Sequence, residues 1–430
     1  MRIALPMDYG YLANATSLNL IPKKLFFELG KIMNSKKSFT ISATLLKNCG
    51  IGDINKHYDC VDISNMGGFR FPPQSVLNCK NLFIGLIGID EVILGRKSFR
   101  SERHWAINKP IINEEIKKWE NQINKIKLVH VATNSEKQQM IEYLKIPKEK
   151  LHIIPLGVDH KTFKPAEDKE KARQFILGKY FLKNEPYFIH ISEVNWARKN
   201  IFNLFNAFKK ARNAGIKQNL IIVGKNETIV FSKAKEIPGV IMTGFVPEND
   251  LVKFIQGSDG LLNPSLHEGF GLPLLESMAC KIPILTSNVF SPPEVVKDGG
   301  LFVNPYDIDE ISKEIISLAT DENLRESLSE NGYRRSQDFS WEFTAHKLLE
   351  LLEQHTPKTE FNFEESIDLA ALRTLATMVE THPILKTTMQ HKLLKFEYNE
   401  IINWASSAGL NDPFADDFLH PFKHWLEINS

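Results

Sequence analysis

Asn263-Pro-Ser-Leu-His-Glu-Gly-Phe-Gly-Leu-Pro-Leu-Leu-Glu-Ser-Met-Ala-Cys280 lies between two short apolar runs, Gly260–Leu262 and Ile282–Thr286. The first run reads as a strand that ends near Leu262. A loop bearing Glu268, Gly269 and Gly271 follows, a helix opens near Leu272, and the second run is the next strand. A strand, a helix and a strand in close succession predict parallel pairing with the helix packed on the sheet. Glycines let backbone N–H groups approach an anion closely, and a helix N-terminus adds favourable dipole charge, so phosphate is the natural guest of this loop. Seven residues separate Glu268 from Glu276. Glu276 falls about one turn into the helix, so both carboxylates can face the crevice at the strand ends, where ligands of open α/β sheets bind. A carboxylate there can accept from vicinal hydroxyls such as a ribose presents.

The same alternation extends outward in both directions. Upstream, Ile3–Pro6, Cys60–Ile63, Leu82–Ile87, Leu128–Ala132 and Leu151–Ile154 read as strands; a second series comprises Tyr187–Ile191, Leu220–Val223, Val240–Thr243, Gly260–Leu262, Ile282–Thr286 and Leu301–Val303. Short, nearly all-apolar runs are expected of strands buried on both faces. Amphipathic stretches such as Glu136–Leu144, Asn200–Arg212 and Ile308–Ala319 lie between them. The pattern falters from Pro155 to Glu185, which reads as the junction of two α/β domains. Residues 361–430 lack strand-like runs and read as helices broken at Pro383, Gly409, Pro413 and Pro421. The expected organisation is a domain over 1–160, a second over 161–355 and a helical extension over 356–430.

Length and composition agree. The chain has 430 residues, 43% hydrophobic and 24% charged, which excludes fibrous and wholly disordered classes and suits two domains with an appendage. Lys+Arg is 53 against 52 Asp+Glu, so the basic excess of a general nucleic-acid binder is missing. Residues 1–164 hold 25 Lys/Arg against 15 Asp/Glu, a net of +10, and the remaining 28 against 37 leave 165–430 at −9. Such asymmetry fits either an anionic partner of the first half, an acceptor or a membrane surface, or attraction between the two halves. Cys49, Cys60, Cys79 and Cys280 form no Cys-x-x-Cys pair, so a zinc knuckle or dithiol site is not indicated and a reducing compartment is. The apolar start is too short for a signal-peptide core, and the longest apolar run, Leu82 to Ile89, falls far short of the roughly 20 residues of a membrane span. A cytoplasmic protein, at most peripheral to a membrane, is expected.

A second window points to the same chemistry. His190-Ile-Ser-Glu-Val-Asn-Trp-Ala-Arg-Lys-Asn200 follows a strand and opens a helix. Arg198 and Lys199 at a helix start oppose the helix dipole, which disfavours a purely structural role and suits a clamp on a diphosphate.

Together with Gly244-Phe-Val-Pro247, with Ile154-Pro-Leu-Gly-Val-Asp159 ahead of Phe163-Lys-Pro165, and with Pro293-Glu-Val-Val-Lys-Asp-Gly-Gly-Leu-Phe-Val-Asn-Pro305, these windows resemble glycosyltransferase family 4. The resemblance covers about residues 125–352. It implies the GT-B architecture, two Rossmann-like domains facing a cleft, and sugar transfer from a nucleotide-diphosphate donor with retention of anomeric configuration. It implies that Arg198 and Lys199 hold the donor diphosphate, that Glu268 orients the donor sugar, and that Glu276 binds the ribose. The backbone of Gly269, Phe270, Gly271 and Leu272 would cap phosphates and sugar, and the Phe245-Val246 loop would edge the base. The helix after Phe339-Ser-Trp341 would cross back towards the first domain.

The chain also departs from the pattern. Ser192 stands where many members have glycine, and only Gly10 stands in the region of their Gly-rich loop. Gly88-Ile-Asp-Glu91 occupies the place of a histidine near the reacting sugar, so Asp90 or Glu91 would serve the acceptor. Asp307-Ile-Asp309 resembles a metal-binding pair but sits where a helix cap is expected. Gly95-Arg-Lys-Ser98 lacks the spacing of a P-loop. The basic amphipathic helix Lys23–Met33 is expected to pack on the first sheet rather than on a membrane. No metal or other cofactor is expected. The expected function is transfer of a hexosyl group, with a lean to GDP-mannose or a similar donor, onto a glycan, lipid-linked or protein acceptor, which the basic first half allows to be anionic. The alternatives are a sugar-nucleotide epimerase or hydrolase of the same architecture and a non-catalytic nucleotide-sugar-binding module.

Overall fold

A computed structural model describes residues 1–6, 17–44, 56–64, 70–72, 76–99, 101–192, 196–224 and 228–360. Gly10 and residues 361–430 of the helical extension expected over 356–430 lie outside the described residues.

The strands of the described residues form two six-stranded sheets, every pair parallel. The first contains β1 (Arg2–Pro6), β2 (Thr40–Thr44), β3 (Cys60–Ile63), β4 (Leu82–Gly85), β5 (Leu128–Val131) and β6 (Leu151–Ile153), in the order β2-β1-β3-β4-β5-β6. Its helices are α1 (Ser17–Lys36), the short α2 (Asp90–Ile93), α3 (Glu102–Gln122) and α4 (Asn134–Leu144). The second contains β7 (Tyr187–Ser192), β8 (Asn219–Gly224), β9 (Val240–Gly244), β10 (Gly260–Asn263), β11 (Ile284–Ser287) and β12 (Gly300–Val303), in the order β12-β11-β10-β7-β8-β9. With it go α5 (Lys169–Lys179), α6 (Ile201–Asn213), α7 (Thr228–Ala234), α8 (Glu248–Gln256), α9 (Leu272–Ala279), α10 (Pro292–Val296), α11 (Ile308–Thr320), α12 (Glu322–Ser336) and α13 (Trp341–His355). The strand order of the second sheet reverses between β7 and β10, so the loops after these two strands diverge and leave a crevice between them.

One strand escapes the apolar-run criterion. Thr40–Thr44 alternates Ile41 and Ala43 with Ser and Thr; it sits at the edge of the first sheet, paired to β1. An edge strand needs fewer apolar side chains than a central one, so its sequence looks like a loop. Helix α3 is masked in the sequence by Pro110 and a polar composition, yet it buries Ile112 and Trp119 against the outer face of the first sheet. Asp307 accepts from the backbone N–H groups of Asp309 and Glu310 at 2.9 and 3.0 Å, so the Asp-x-Asp is a helix cap. The basic helix α1 turns Ile21, Leu25, Phe26, Leu29 and Met33 into the core. Among the described residues no helix is long and apolar enough to cross a membrane.

The halves are joined twice. The chain crosses from β6 through Ile154–Asp159, and α13 returns to pack on α1. The two crossings touch at Gly157, where a Cβ would lie 2.2 Å from the Trp341 backbone nitrogen; only glycine fits. A β-bridge joins Val158 to Ser340, and Thr344 Oγ1 donates to the Pro155 carbonyl at 2.8 Å. One apolar cluster therefore runs from Ile3 and Leu29 through Leu156 and Trp341 to Phe270 and Leu275.

Candidate functional site

Both expected windows meet at the β7/β10 crevice. Asn200 precedes α6 with φ 59°, in the left-handed region that Asn tolerates better than most residues. Its amide donates to the carbonyls of Pro264 and Pro305 at 2.9 and 2.6 Å, tying the loops after β10 and β12 to the start of α6. This fixes the preceding Arg198 and Lys199 beside Glu268. Lys199 Nζ lies 2.6 Å from Glu268 Oε1, and Arg198 Nη1 lies 3.0 Å from Glu268 Oε2 and donates to the His267 carbonyl at 3.0 Å. Ser265 Oγ and Asn263 Nδ2 also donate to Glu268 Oε1, at 2.7 and 3.2 Å. Glu268 is 5% exposed. Burial alone would raise its pKa, but the two cations and these donors outweigh burial and hold the carboxyl far below the usual carboxylate range. Burial lowers the neighbouring imidazoles of His190 and His267 to about 4, so both are neutral near pH 7.

The expected conflict between two cations and a helix start is thus resolved by a buried counter-charge from the loop after β10. The loop continues through Gly269 and Phe270, both buried, to Gly271 and Leu272, where α9 opens with Gly271 at φ 95°. Glu276 is half-buried about one turn into α9. Val246 is buried in the loop after β9, whereas its neighbour Phe245 is 68% exposed.

The first domain closes over this loop. Asp90, in α2, lies 3.8 Å from Arg198 Nε, and its half-buried neighbour Glu91 has its pKa raised by burial and by Asp90. Of the two carboxylates expected on the acceptor side, Asp90 is the one placed beside Arg198. A Cβ on Gly269 would lie 2.6 Å from Glu136 Oε1 and 2.8 Å from the Gly88 nitrogen, so glycine at 269 is required by the approach of the other domain. Glu136 accepts from the N–H groups of Gly88 and Ala132, both at 2.8 Å, and burial pushes its carboxyl up to about 8 against those two bonds. Glu294 of α10 accepts from the N–H groups of Asn134 and Ser135 at 2.9 and 3.1 Å, capping α4 from the opposite domain. Thr133 and Ser291 are hydrogen-bonded at 2.9 Å, and His267 Nε2 meets Gln139 Oε1 at 2.9 Å.

Glu136, Gln139, His267 and Glu294 were not among the expected site residues. For Glu136 a signal exists: Thr133-Asn-Ser-Glu136 has the spacing of a capping box, and Thr133 Oγ1 does accept from the Glu136 N–H at 3.0 Å, while the Glu136 carboxylate accepts from the N–H of Ala132 in place of that of Thr133. The Glu136 side chain, however, reaches Gly88 on another loop, which no local pattern discloses.

Comparison with known proteins follows the same lines. Residues 172–335 match the family model "Glycosyl transferases group 1". O-antigen chain mannosyltransferase B of Escherichia coli is 29% identical over 242 residues, covering 53% of this chain and 62% of that protein, so less than two thirds of the relative is spanned. Among solved structures, sucrose-phosphate synthase from Thermosynechococcus elongatus superposes with a TM-score of 0.63 at 17% identity, covering 82% of this chain and 98% of the other. The Anabaena HepE protein, solved in complex with UDP-glucose, also gives 0.63, at 14% identity, covering 82% of this chain and all of the other. The chain has the GT-B fold, and its second domain carries the sequence features of the group 1 glycosyl transferases.

Proposed function

We propose that the protein is a retaining glycosyltransferase that moves a hexosyl group, with mannose the favoured sugar, from a nucleotide-diphosphate donor to a glycan, lipid-linked or protein acceptor. The observation that carries this reading is the Arg198–Lys199–Glu268 cluster at the switch point of the second sheet, faced by Asp90 of the first domain. Departure of a nucleoside diphosphate places growing negative charge on the β-phosphate. Two cations held in place by a buried carboxylate meet that charge without reorganising, the arrangement by which anion-hole sites lower barriers by roughly 2.7–4 kcal/mol per donor. The same cations take the charge-neutralising part that a metal plays elsewhere, so the proposed reaction needs none. Glu268, bound to both cations, is a weak base and a poor nucleophile; we read it as the residue that holds the clamp and borders the sugar. The acceptor hydroxyl then attacks from the face the diphosphate leaves, on the side of Asp90, as the bond from the sugar to the β-phosphate oxygen breaks, and its proton passes to that departing phosphate oxygen. The mannose lean is supported by the E. coli relative. An anionic acceptor, or a membrane surface beside the first domain, is supported by the net charge of +10 over residues 1–164.

The test begins with a thermal-shift panel of nucleoside diphosphates. A ligand at 100 times its Kd stabilises by about 2.7 kcal/mol, which is readily seen. Nucleotide sugars of the best base are then incubated with candidate acceptors and the anomeric configuration of the product is read by NMR. An inverted product would refute retention, and free sugar released without acceptor would turn the reading to a hydrolase. Glu276→Ala tests the ribose contact. A hydroxyl-to-carboxylate bond is worth about 1.5–3 kcal/mol, so nucleotide binding should weaken roughly tenfold to a hundredfold. The wild type should discriminate against 2′- or 3′-deoxy nucleotides and the variant should not; equal discrimination by both removes Glu276 from the ribose.

A further inference from the structure

The two residues that flank Glu268 in sequence are both held by one helix of the opposite domain. Gly269 lies against Glu136, and His267 is hydrogen-bonded to Gln139. Glu136 and Gln139 lie three residues apart on α4, so they share a face. Gln139 is 4% exposed and His267 is 1% exposed, so this bond is made out of water's reach.

The hydrogen-bond directions are set by the partners. Gln139 Nε2 donates to Ser135 Oγ at 3.1 Å, which turns Oε1 towards the imidazole. An oxygen there can only accept, so His267 carries its proton on Nε2 and donates. The Phe290 ring packs on the imidazole, centroids 4.7 Å apart, and leaves it little freedom to turn away. Ser135 in turn gives its backbone N–H to Glu294 of the second domain. A continuous chain of contacts therefore runs from Glu294 through Ser135, Gln139 and His267 to the loop that carries Glu268 and, through it, to Lys199 and Arg198.

We infer that Gln139 is a positioning residue of the donor site: its carboxamide oxygen, reached only when the domains are closed, orients His267 and so sets the Glu268 loop that holds the diphosphate clamp. The clamp lies wholly in the second domain, but its final geometry is completed from the first. Donor diphosphate and interdomain closure are then linked, because a ligand that needs the set clamp binds with an apparent affinity scaled by the closed fraction. The inference rests on the reading of Arg198 and Lys199 as a diphosphate clamp.

The experiment titrates GDP and UDP calorimetrically into the full chain and into Gln139→Met, His267→Phe, the double variant and Gln139→Glu, at a temperature where circular dichroism shows each folded. Gln139→Met keeps the length of the side chain and removes the acceptor. It should weaken whichever nucleotide the wild type binds by about tenfold, as the loss of one buried hydrogen bond of about 1.4 kcal/mol would. Because Gln139 acts through His267, the double variant should bind no more weakly than His267→Phe. Titrated at pH 5.5, where a carboxyl buried beside Glu136 stays protonated, Gln139→Glu retains an accepting oxygen and a donor at the same reach and should stay within about threefold of wild type, which a loss of bulk packing would not predict. Should Gln139→Met fail to fold, Ser135→Ala, which frees the carboxamide to rotate away, replaces it. Wild-type affinity in the Met variant overturns the inference, as do independent, additive losses from Gln139→Met and His267→Phe. Failure of the wild type itself to bind either nucleotide refutes the underlying clamp reading, and this inference with it.

Discussion

Replacing Glu268 by Gln removes the counter-charge of two cations while keeping nearly the same shape. The carboxylate accepts from Lys199, Arg198, Ser265 and Asn263 at 2.6 to 3.2 Å. The amide has one accepting oxygen, and its NH2 group must face a cation or another donor. Breaking a buried ion pair by removing one partner costs about 3–5 kcal/mol, because the remaining charge is left unpaired. At roughly 2–4 °C per kcal/mol for a domain of this size, Tm should fall by about 6–20 °C. The companion Lys199→Met should cost a comparable amount. The double variant should cost at least about 2 kcal/mol less than the two single losses added together, since Lys199 and Glu268 no longer strand each other and only Arg198, 21% exposed and 3.8 Å from Asp90, loses its counter-charge. Denaturant melts of the four proteins supply the cycle. The pH dependence gives an independent check. The folded pKa of Glu268 lies below its unfolded value of about 4.5, so its contribution is fully present above pH 4.5 and is lost as pH falls towards the folded value. By pH 3 about 2 kcal/mol of it should have gone, at about 1.4 kcal/mol per pH unit, and the gap between wild type and Glu268→Gln should narrow by that amount. Additive single losses, or a gap that stays constant from pH 7 to pH 3, would refute the counter-charge reasoning.

Three further outcomes are expected. Arg198→Ala should lower kcat by about 10²–10³ if the guanidinium stabilises the departing phosphate; its side chain is 21% exposed against 6% for Lys199, so the stability loss should be smaller than for Lys199→Met. Glu136, with its carboxyl raised by burial to about 8, contributes stability that is present below pH 4.5 and lost as pH rises through about 8, with a slope of at most about 1.4 kcal/mol per pH unit, and Glu136→Gln should flatten that slope in melts from pH 5 to pH 9. Turnover should survive EDTA; activity that disappears with the chelator and returns with Mn²⁺ would overturn the proposal that Arg198 and Lys199 suffice to neutralise the diphosphate.

Local sequence was enough to place the buried strands and their order, because buried parallel strands must be short, apolar and bounded by turns. Each apolar run from Ile3 to Val303 became a strand with ends shifted by only a few residues. It also marked Arg198, Lys199 and Glu268, because charges at strand ends and glycines at a helix start are local features with a local meaning. Helix capping was legible too, at Asp307. The edge strand Thr40–Thr44 was not, because half-polar alternation in five residues resembles a loop. Pairing was beyond local reading altogether. That Glu268 is the buried partner of Lys199 and Arg198, 69 and 70 residues away along the chain, depends on β7 and β10 lying side by side. That Gly269 must be glycine, that Gln139 bonds His267 and that Glu294 caps α4 all depend on how the two sheets and their helices face each other. Such contacts carry no periodicity and no spacing in one dimension. They arise where surfaces approach closely enough to exclude water, and there a buried polar group must find its partner wherever the fold has brought one.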